Sequence, residues 1–559
     1  MSGFLAATGV LAAAAAAAAA ILLPAGRVRS AAMLAALALF PLLILGDQWN
    51  SPQIVDLRDE PLGFAGLVAA ALAAAALLAA IFRRRPVVLP LAIVFALPFR
   101  IPLEAGGDTA NLLVPLYLVI AGGVLSAALG EWWERRRQDA GGFSQCAASC
   151  FSHRPLGESR DAPGEKPSAL GEPPRVLPWA LAAVVVLYAL QTLYSPDFSK
   201  SLQSVCFFFV PFSLVYALLR DVEWDRRLLT WVLVVVAAEA VAFVIVGSVE
   251  YVTRSLFWND QVIRSNEFHT YFRVNSIFWD PNIYGRYLAL AIAVAMAALL
   301  WAKERRTLAL LAALVAVLWL GLVPTFSQSS FAALLAGLAV LGALRWSPRW
   351  TLAAAGGGAV LAVVVVIFAG GVSKLNPSRL NIDTGGRANL VSGGGELFAQ
   401  RPLWGYGAGS FPRAYREHIA TKKTPVSVSH TQPVTVAAEQ GLIGLLAYAA
   451  LLIAALWTMA AGLRSGGEGW GPRPGAASSF SHRPLGESLD APGEKPSDRS
   501  GPPPLPAQPK LIARAAILAA FAALLVHTMA YAGFYEDPIA WVLLAVGASL
   551  AAAPVRGET

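Results

Sequence analysis

Residues 64–81 read FAGLVAAALAAAALLAAI, a run without a charged or strongly polar side chain. A helix of about 18 or more apolar residues is long enough to cross the hydrocarbon of a bilayer. Asp56, Asp59 and Glu60 precede the run and Arg83-Arg84-Arg85 follow it, so one end is acidic and the other basic. Lys and Arg accumulate on the cytoplasmic side of membrane spans. The stretch therefore predicts both a membrane helix and its direction.

The pattern repeats along the whole chain of 559 residues, which is 57% hydrophobic and 14% charged, with mean hydropathy +0.58. Spans are predicted to begin near residues 3, 31, 63, 86, 110, 177, 203, 228, 281, 307, 329, 351, 433, 512 and 539, about fifteen by length and hydropathy. Arg27 with Arg29, the triplets at 83–85 and 135–137, Arg226-Arg227, Lys303 with Arg305 and Arg306, and Arg345 with Arg349 fall in alternate loops. The intervening loops carry Asp47, Glu104, Asp108, Glu536 and Asp537. This alternation predicts an all-α polytopic bundle with its N-terminus outside and its C-terminus inside. The first segment lacks the basic leader of a signal peptide, so it reads as a span. The net charge of +8 lies largely in short loops, where it sets orientation, and no nucleic-acid partner is expected. Cys146, Cys150 and Cys206 show neither a disulfide framework nor metal-ligand spacing.

Seven regions follow from these breaks: N-terminal spans over 1–130, a cytoplasmic loop over 131–176, central spans over 177–371, an external loop over 372–432, a span over 433–463, a second cytoplasmic loop over 464–511 and C-terminal spans over 512–559. The two cytoplasmic loops are rich in Pro, Gly, Ser and charge, a composition that predicts disorder. They share a segment, FSHRPLGESRDAPGEKPS at 151–168 and FSHRPLGESLDAPGEKPS at 480–497, differing only at Arg160 and Leu489. Such a duplicated insert is either tolerated ballast or a docking tag.

The external loop over 372–432 breaks the charge rule. Lys374, Arg379, Arg387, Arg401, Arg413, Arg416, Lys422 and Lys423 face Asp383, Glu396 and Glu417, a net charge of +5. Cations where cations are scarce point to an anionic ligand. Arg379 and Arg387 suit bidentate phosphate contact, and anionic lipid headgroups are the competing use of such arginines. Within the loop, GYGAG at 405–409 allows tight turns and close approach of backbone to a bound group around Tyr406; no strand precedes it, so a dinucleotide fingerprint fails for lack of context.

Three further clusters carry chemistry. In FRVNSIFWDPNIYGRYLAL, 272–290, Asp280 and Pro281 suit a helix start, so Asp280 and Asn282 have a capping reading beside a pocket reading. Arg286 lies inside the span, where a cation must snorkel, pair or hold a ligand, while Arg273 has no helical duty. In PTFSQSSFAALLAGL, 324–338, Ser327 with Gln328, Ser329 and Ser330 either caps the next helix or lines a polar pocket. Finally His430 precedes a helix in which Gln432, Thr435 and Glu439 share one face. His430 suits a base near neutral pH, or a phosphate contact when protonated, and Glu439 is an ionisable group in apolar surroundings. His527, near Tyr531 at the external end of a later span, is a further polar candidate.

The order RVNSIFWDPNIYG, TFSQSSF, GGR, RPLWGYGAGSF and SHTQPVTVAAEQGLIGL, over roughly residues 180–550, resembles the O-antigen ligase and polymerase superfamily. The resemblance implies a bacterial inner-membrane glycosyltransferase of the C-type, all helical, with a long external loop over a cavity. It implies a donor glycan on undecaprenyl diphosphate, a glycan, lipid or protein acceptor, and chemistry without cofactor or metal. Donor-phosphate arginines map to Arg273 and Arg387, with Arg286 and Arg379 in support; the loop histidine maps to His430 and the helix glutamate to Glu439. The chain departs from the family pattern at Gln328, Val391 and Thr431, and Gly393-Gly394-Gly395 is expected to interrupt a loop helix. The rival reading is a flippase for lipid-linked glycan, which would show related halves with broken helices; no such repeat occurs among the predicted spans.

Overall fold

The computed structural model describes residues 3–105, 108–149, 176–268, 271–346, 349, 351, 386–419, 429–461, 463 and 509–552. It is a helical bundle. The elements are α1 Gly3–Leu22, α2 Arg27–Asp47, α3 Pro52–Asp59, α4 Pro61–Arg84, α5 Val88–Ala96, α6 Val114–Ser149, α7 Val176–Thr192, α8 Phe198–Ser204, α9 Val210–Leu219, α10 Arg226–Thr253, α11 Asp260–Phe268, α12 Pro281–Trp301, α13 Arg305–Leu322 and α14 Gln328–Arg345. Then come α15 Arg387–Gln400, α16 Phe411–His418, α17 Gln432–Ala460, α18 Pro509–Thr528 and α19 Pro538–Ala552.

Among the described residues, 11 helical stretches are long and apolar enough to cross a membrane, and α7 and α19 are shorter apolar helices. Coverage separates inner from outer spans. The stretch 198–219, α8 and α9 joined by the π-turn Val205–Phe209, is 83% buried, whereas α4 is 11% buried. An apolar helix left bare on the outside of a bundle faces lipid. The inner core gathers Phe209, Phe212 and Trp541 in edge-to-face contact, the arrangement aromatic quadrupoles favour.

Helix starts follow local chemistry. Asp280 caps α12, its carboxylate accepting from the Asn282 N–H at 2.6 Å, with Pro281 in the first turn. Ser327 caps α14 by accepting from the Ser330 N–H. Both residues thus perform the capping role that the sequence allowed them.

The structure corrects three expectations. The segment expected to span from 86 is a nine-residue helix, α5, about 14 Å long at 1.5 Å per residue and too short to cross. It is followed by an antiparallel hairpin, Ile101–Ala105 paired with Asp108–Leu112, the one strand pair among the described residues. Helix α6 runs on to Ser149, past the loop boundary at 131. Gly393 and Gly394 do not interrupt a helix but lie inside α15, where a Cβ would come 2.3 Å from the Tyr415 ring and 2.4 Å from Val434; they let α15 pack closely on α16 and α17. The span expected from 351, Arg379 and both copies of the repeat lie outside the described residues.

Candidate functional site

One end of the bundle collects the ends of α5, α10, α13 and α18, the starts of α12, α14, α15, α17 and α19, and the loops between them. The segment before α12 is fastened first. Glu250, buried on α10, accepts from the Asn275 N–H at 3.1 Å and the Ser276 N–H at 2.7 Å through one oxygen. Asn266 bonds both the N–H and the carbonyl of Arg273, each at 3.0 Å. The Arg273 side chain is thereby aimed: Nε donates to the Thr325 carbonyl at 2.9 Å and a terminal nitrogen to Asn282 Oδ1 at 3.3 Å. Asn282 Oδ1 also accepts from Ser327 Oγ at 2.9 Å. Burial lowers the Arg273 pKa, and the opposing pull of Asp280 and Tyr271 is joined by repulsion from Arg387.

Arg387 therefore lies within electrostatic reach of Arg273, although the two are far apart in sequence. His430 joins them. It adopts φ 60, is half-buried, and its ring centre lies 6.5 Å from that of Tyr531. Burial first, then the Arg387 charge, lowers the His430 pKa below the usual histidine value, with Asp280 opposing. The imidazole is accordingly neutral near pH 7, the form that accepts a proton.

Behind this cluster sits a second cationic group. Arg286 is buried and pairs with Asp537 at 3.1 Å, with its guanidinium 6.0 Å from the Tyr531 ring centre. The ion pair matches its charge and anchors the turn before α19, a structural duty beside the donor-phosphate role expected of Arg286. Arg100, at the end of the short α5 segment, lies near Asp537, Arg286, Tyr531 and Glu536, and burial lowers its pKa. Sequence reading missed Arg100. Its signal was available: a cation beside the acidic Glu104 and Asp108 on the expected outer side. His527 meets Ser329 Oγ at 3.2 Å, within the same end of the bundle.

The GYGAG loop plays another part than expected. Gly407 has φ +101, and a Cβ there would lie 2.5 Å from Ser195 Cα; one on Gly405 would lie 2.3 Å from the Glu439 carbonyl oxygen. The close approach is to the protein's own backbone. Helix α17 breaks at Gly441, with φ 66 and ψ −163, which frees carbonyls inside an apolar bundle. Those groups need partners. Ala438 accepts from the Tyr406 N–H at 3.1 Å, Glu439 from the Gly407 N–H at 2.8 Å, and Gln440 from Gln191 at 3.1 Å. Tyr406 donates to Gln400 at 2.6 Å under the Arg401 guanidinium, a loop-packing contact beside the substrate-pocket role expected of it.

Glu439 completes the latch. Its two carboxylate oxygens accept separately from the Gly409 N–H at 2.9 Å and the Phe411 N–H at 3.0 Å. Gln432, at the start of the same helix, accepts from the Gly533 and Phe534 N–H groups at 2.7 and 3.0 Å. Between these latched loops lies a cavity of ≈ 70 Å³ that Glu439, Gln432, Lys200 and Glu536 help to line.

Residues 313–449 match the family model described as O-Antigen ligase. The matched segment contains Ser327, Arg387, Tyr406, His430 and Glu439, while Arg273, Asp280, Asn282 and Arg286 precede it. No curated protein matches the chain. The chain is thus a multi-pass helical membrane protein that carries an O-antigen ligase segment at residues 313–449, a match that supports membership of that family and a glycosyltransferase-like part in glycan transfer for surface polysaccharide assembly.

Proposed function

We propose that the chain transfers a glycan from an undecaprenyl-diphosphate carrier to an acceptor hydroxyl on the outer face of a bacterial cytoplasmic membrane. The observation that carries this reading is the meeting of Arg273, Arg387 and a neutral His430 at one end of the bundle. Arg273 keeps a fixed guanidinium at that end, and Arg387 opens α15 after Gly386, a residue with φ 86. In the reaction, the acceptor oxygen attacks the anomeric carbon, the bond to the diphosphate oxygen breaks, and the electron pair leaves with the diphosphate. Two guanidinium groups offset the negative charge that grows there, the largest kind of contribution an active site makes. His430 takes the acceptor proton as that bond forms. Asp280 caps α12 and biases Arg273 toward its charged form. Glu439 is a positioning residue in this reading, because both of its oxygens are committed to loop amides. The N-terminus-out orientation and the placement of 372–432 outside the cytoplasm belong to the same proposal.

A broken helix such as α17 is also a transporter feature. Its freed carbonyls, however, are occupied by the loop and by Gln191, which favours a fixed lid over a moving gate.

The test is donor consumption by purified, equally expressed protein. Arg273→Lys and Arg387→Lys keep charge but lose the planar fork, and each is expected to lower turnover about 10²–10³-fold. Activity within a few-fold of the parent in both variants would refute the assignment.

A further inference from the structure

The cavity beside the arginine cluster has no part in the chemistry just described, and its lining is unlike a packing defect. Lys200 and Glu536 lie across from one another in sign, with Ser204, Thr435 and Gln440 supplying neutral polar groups and Tyr188 and Tyr535 aromatic ones. Apolar voids stay dry, whereas a polar one of ≈ 70 Å³ has room for about five waters at roughly 10–15 Å³ each. Three of its features are unsatisfied or unusual. Glu536 lines the cavity with its side chain open to solvent, and no hydrogen bond or ion pair engages its carboxylate among the described residues. The Tyr535 hydroxyl is buried without a partner. Ser204 and Phe209 flank and close a π-turn, Val205–Phe209, a helix irregularity that recurs at functional sites.

We infer that this cavity is an acceptor subsite that takes the hydroxyl edge of a sugar, with Glu536 accepting from sugar hydroxyls and Lys200 donating to them. The inference rests on the glycan-transfer reading above and assigns that reaction its acceptor side. A sugar fits the lining because it offers hydroxyls for a carboxylate and an ammonium group, and a C–H face for tyrosine rings. The subsite adjoins the donor side through consecutive residues: Asp537 pairs with Arg286 while Glu536 lines the cavity. Gln432 binds the amides of Gly533 and Phe534, so the wall carrying Glu536 is held to the helix that follows His430. Sugar hydroxyls can take the place of water in such a polar cavity because they reproduce its hydrogen bonds.

The experiment uses the full chain in lipid nanodiscs and two separate ligands. Methyl glycosides of glucose, galactose, mannose, rhamnose and N-acetylglucosamine are tested by saturation-transfer difference NMR. At least one is expected to bind the parent, and to bind Glu536→Gln and Lys200→Gln about tenfold more weakly, the loss of one charge-assisted hydrogen bond. Undecaprenyl diphosphate binding, measured in parallel, is expected to be unchanged in those two variants and lost when Arg273 and Arg387 are both changed to Ala. No bound glycoside, or glycoside binding equal in the parent and both variants, overturns the subsite. Diphosphate binding that survives loss of both arginines overturns the donor assignment instead, whatever the glycosides do. A normal thermal melt for each variant confirms that a loss reflects the site rather than the fold.

Discussion

Glu439→Gln and Glu250→Gln are the same chemical change at two buried carboxylates, and the structure predicts opposite outcomes. Glu439 uses both oxygens, one on the Gly409 N–H and one on the Phe411 N–H. A glutamine there must turn its NH₂ toward one of these donors whichever way it is rotated. One bond to a charged acceptor is lost, worth about 1.5–3 kcal/mol, and a donor is set against a donor. Glu250 places both amides on a single oxygen, and its other oxygen has no hydrogen-bond partner among the described residues. Glutamine keeps both of those bonds. Their weakening is offset by removal of a buried charge, so the net change is expected within about 1 kcal/mol. Hydrogen–deuterium exchange of the peptide covering 406–411 reads the difference directly. In Glu439→Gln the loop amides should exchange about 10- to 150-fold faster, the population shift that corresponds to that energy. The amides of 274–277 in Glu250→Gln should stay within about fivefold of the parent. Unchanged exchange in Glu439→Gln, or equal acceleration in both variants, would refute the latch. Transfer activity that fell in Glu439→Gln without faster exchange would return Glu439 to a catalytic role.

Other outcomes follow from the same geometry. Gly407→Ala should unfold the loop, because φ +101 and a Cβ 2.5 Å from Ser195 Cα leave no room to relax. Gly395→Ala, inside α15 but with nothing within 4 Å, should be neutral or stabilise α15 by about 1 kcal/mol; thermal melts separate the two, and equal losses would contradict the packing argument. His430 has its pKa lowered by burial and by Arg387, so a base role predicts that transfer falls only as pH drops through a value below the ordinary ~6.5. A pH–rate profile with its acid limb at or above that value would exclude His430 as the base. Impermeant thiol labelling in intact cells should modify Leu403→Cys, at an exposed position of the loop, and spare Ser488→Cys, and the reverse pattern would invert the orientation.

How much was legible from the sequence depends on the range over which each property acts. Span existence is local, because apolar length and flanking charge are read residue by residue, and most helices lie where these signals place them. The segment at 86 failed because hydropathy continues through Pro98 and Phe99 while the backbone leaves the helix after Ala96. Arg273, Arg387 and His430 were visible as polar groups where polar groups are costly or scarce. Their convergence was not, since it depends on contacts between segments 43 to 157 positions apart. The glycine loop shows the limit most clearly. Its composition established that some backbone must approach closely, yet not which one; the structure supplies Ser195 and the Glu439 carbonyl. The pairing of Arg286 with Asp537 was hidden for the same reason, by an interval of some 250 positions.

That last class of contact explains why intramembrane polar groups are poor guides to catalysis in this chain. Glu250, Gln432 and Glu439 all belong to spans, and each accepts from two amides of a loop, Glu250 and Gln432 through one oxygen and Glu439 through both. A carboxylate buried in apolar surroundings is expensive unless its oxygens are satisfied, and here the satisfaction comes from backbone rather than ligand. The loops so held carry Arg273, Glu536 and the GYGAG turn. Each span residue therefore trades a desolvation cost for the fixed position of a loop that could not build a core of its own. The groups left with spare hydrogen-bonding capacity, Arg273, Arg387, His430 and Glu536, lie in the loops or at helix starts. Function in this bundle is thus expected at the ends of spans, with the polar residues inside them serving to hold those ends in register.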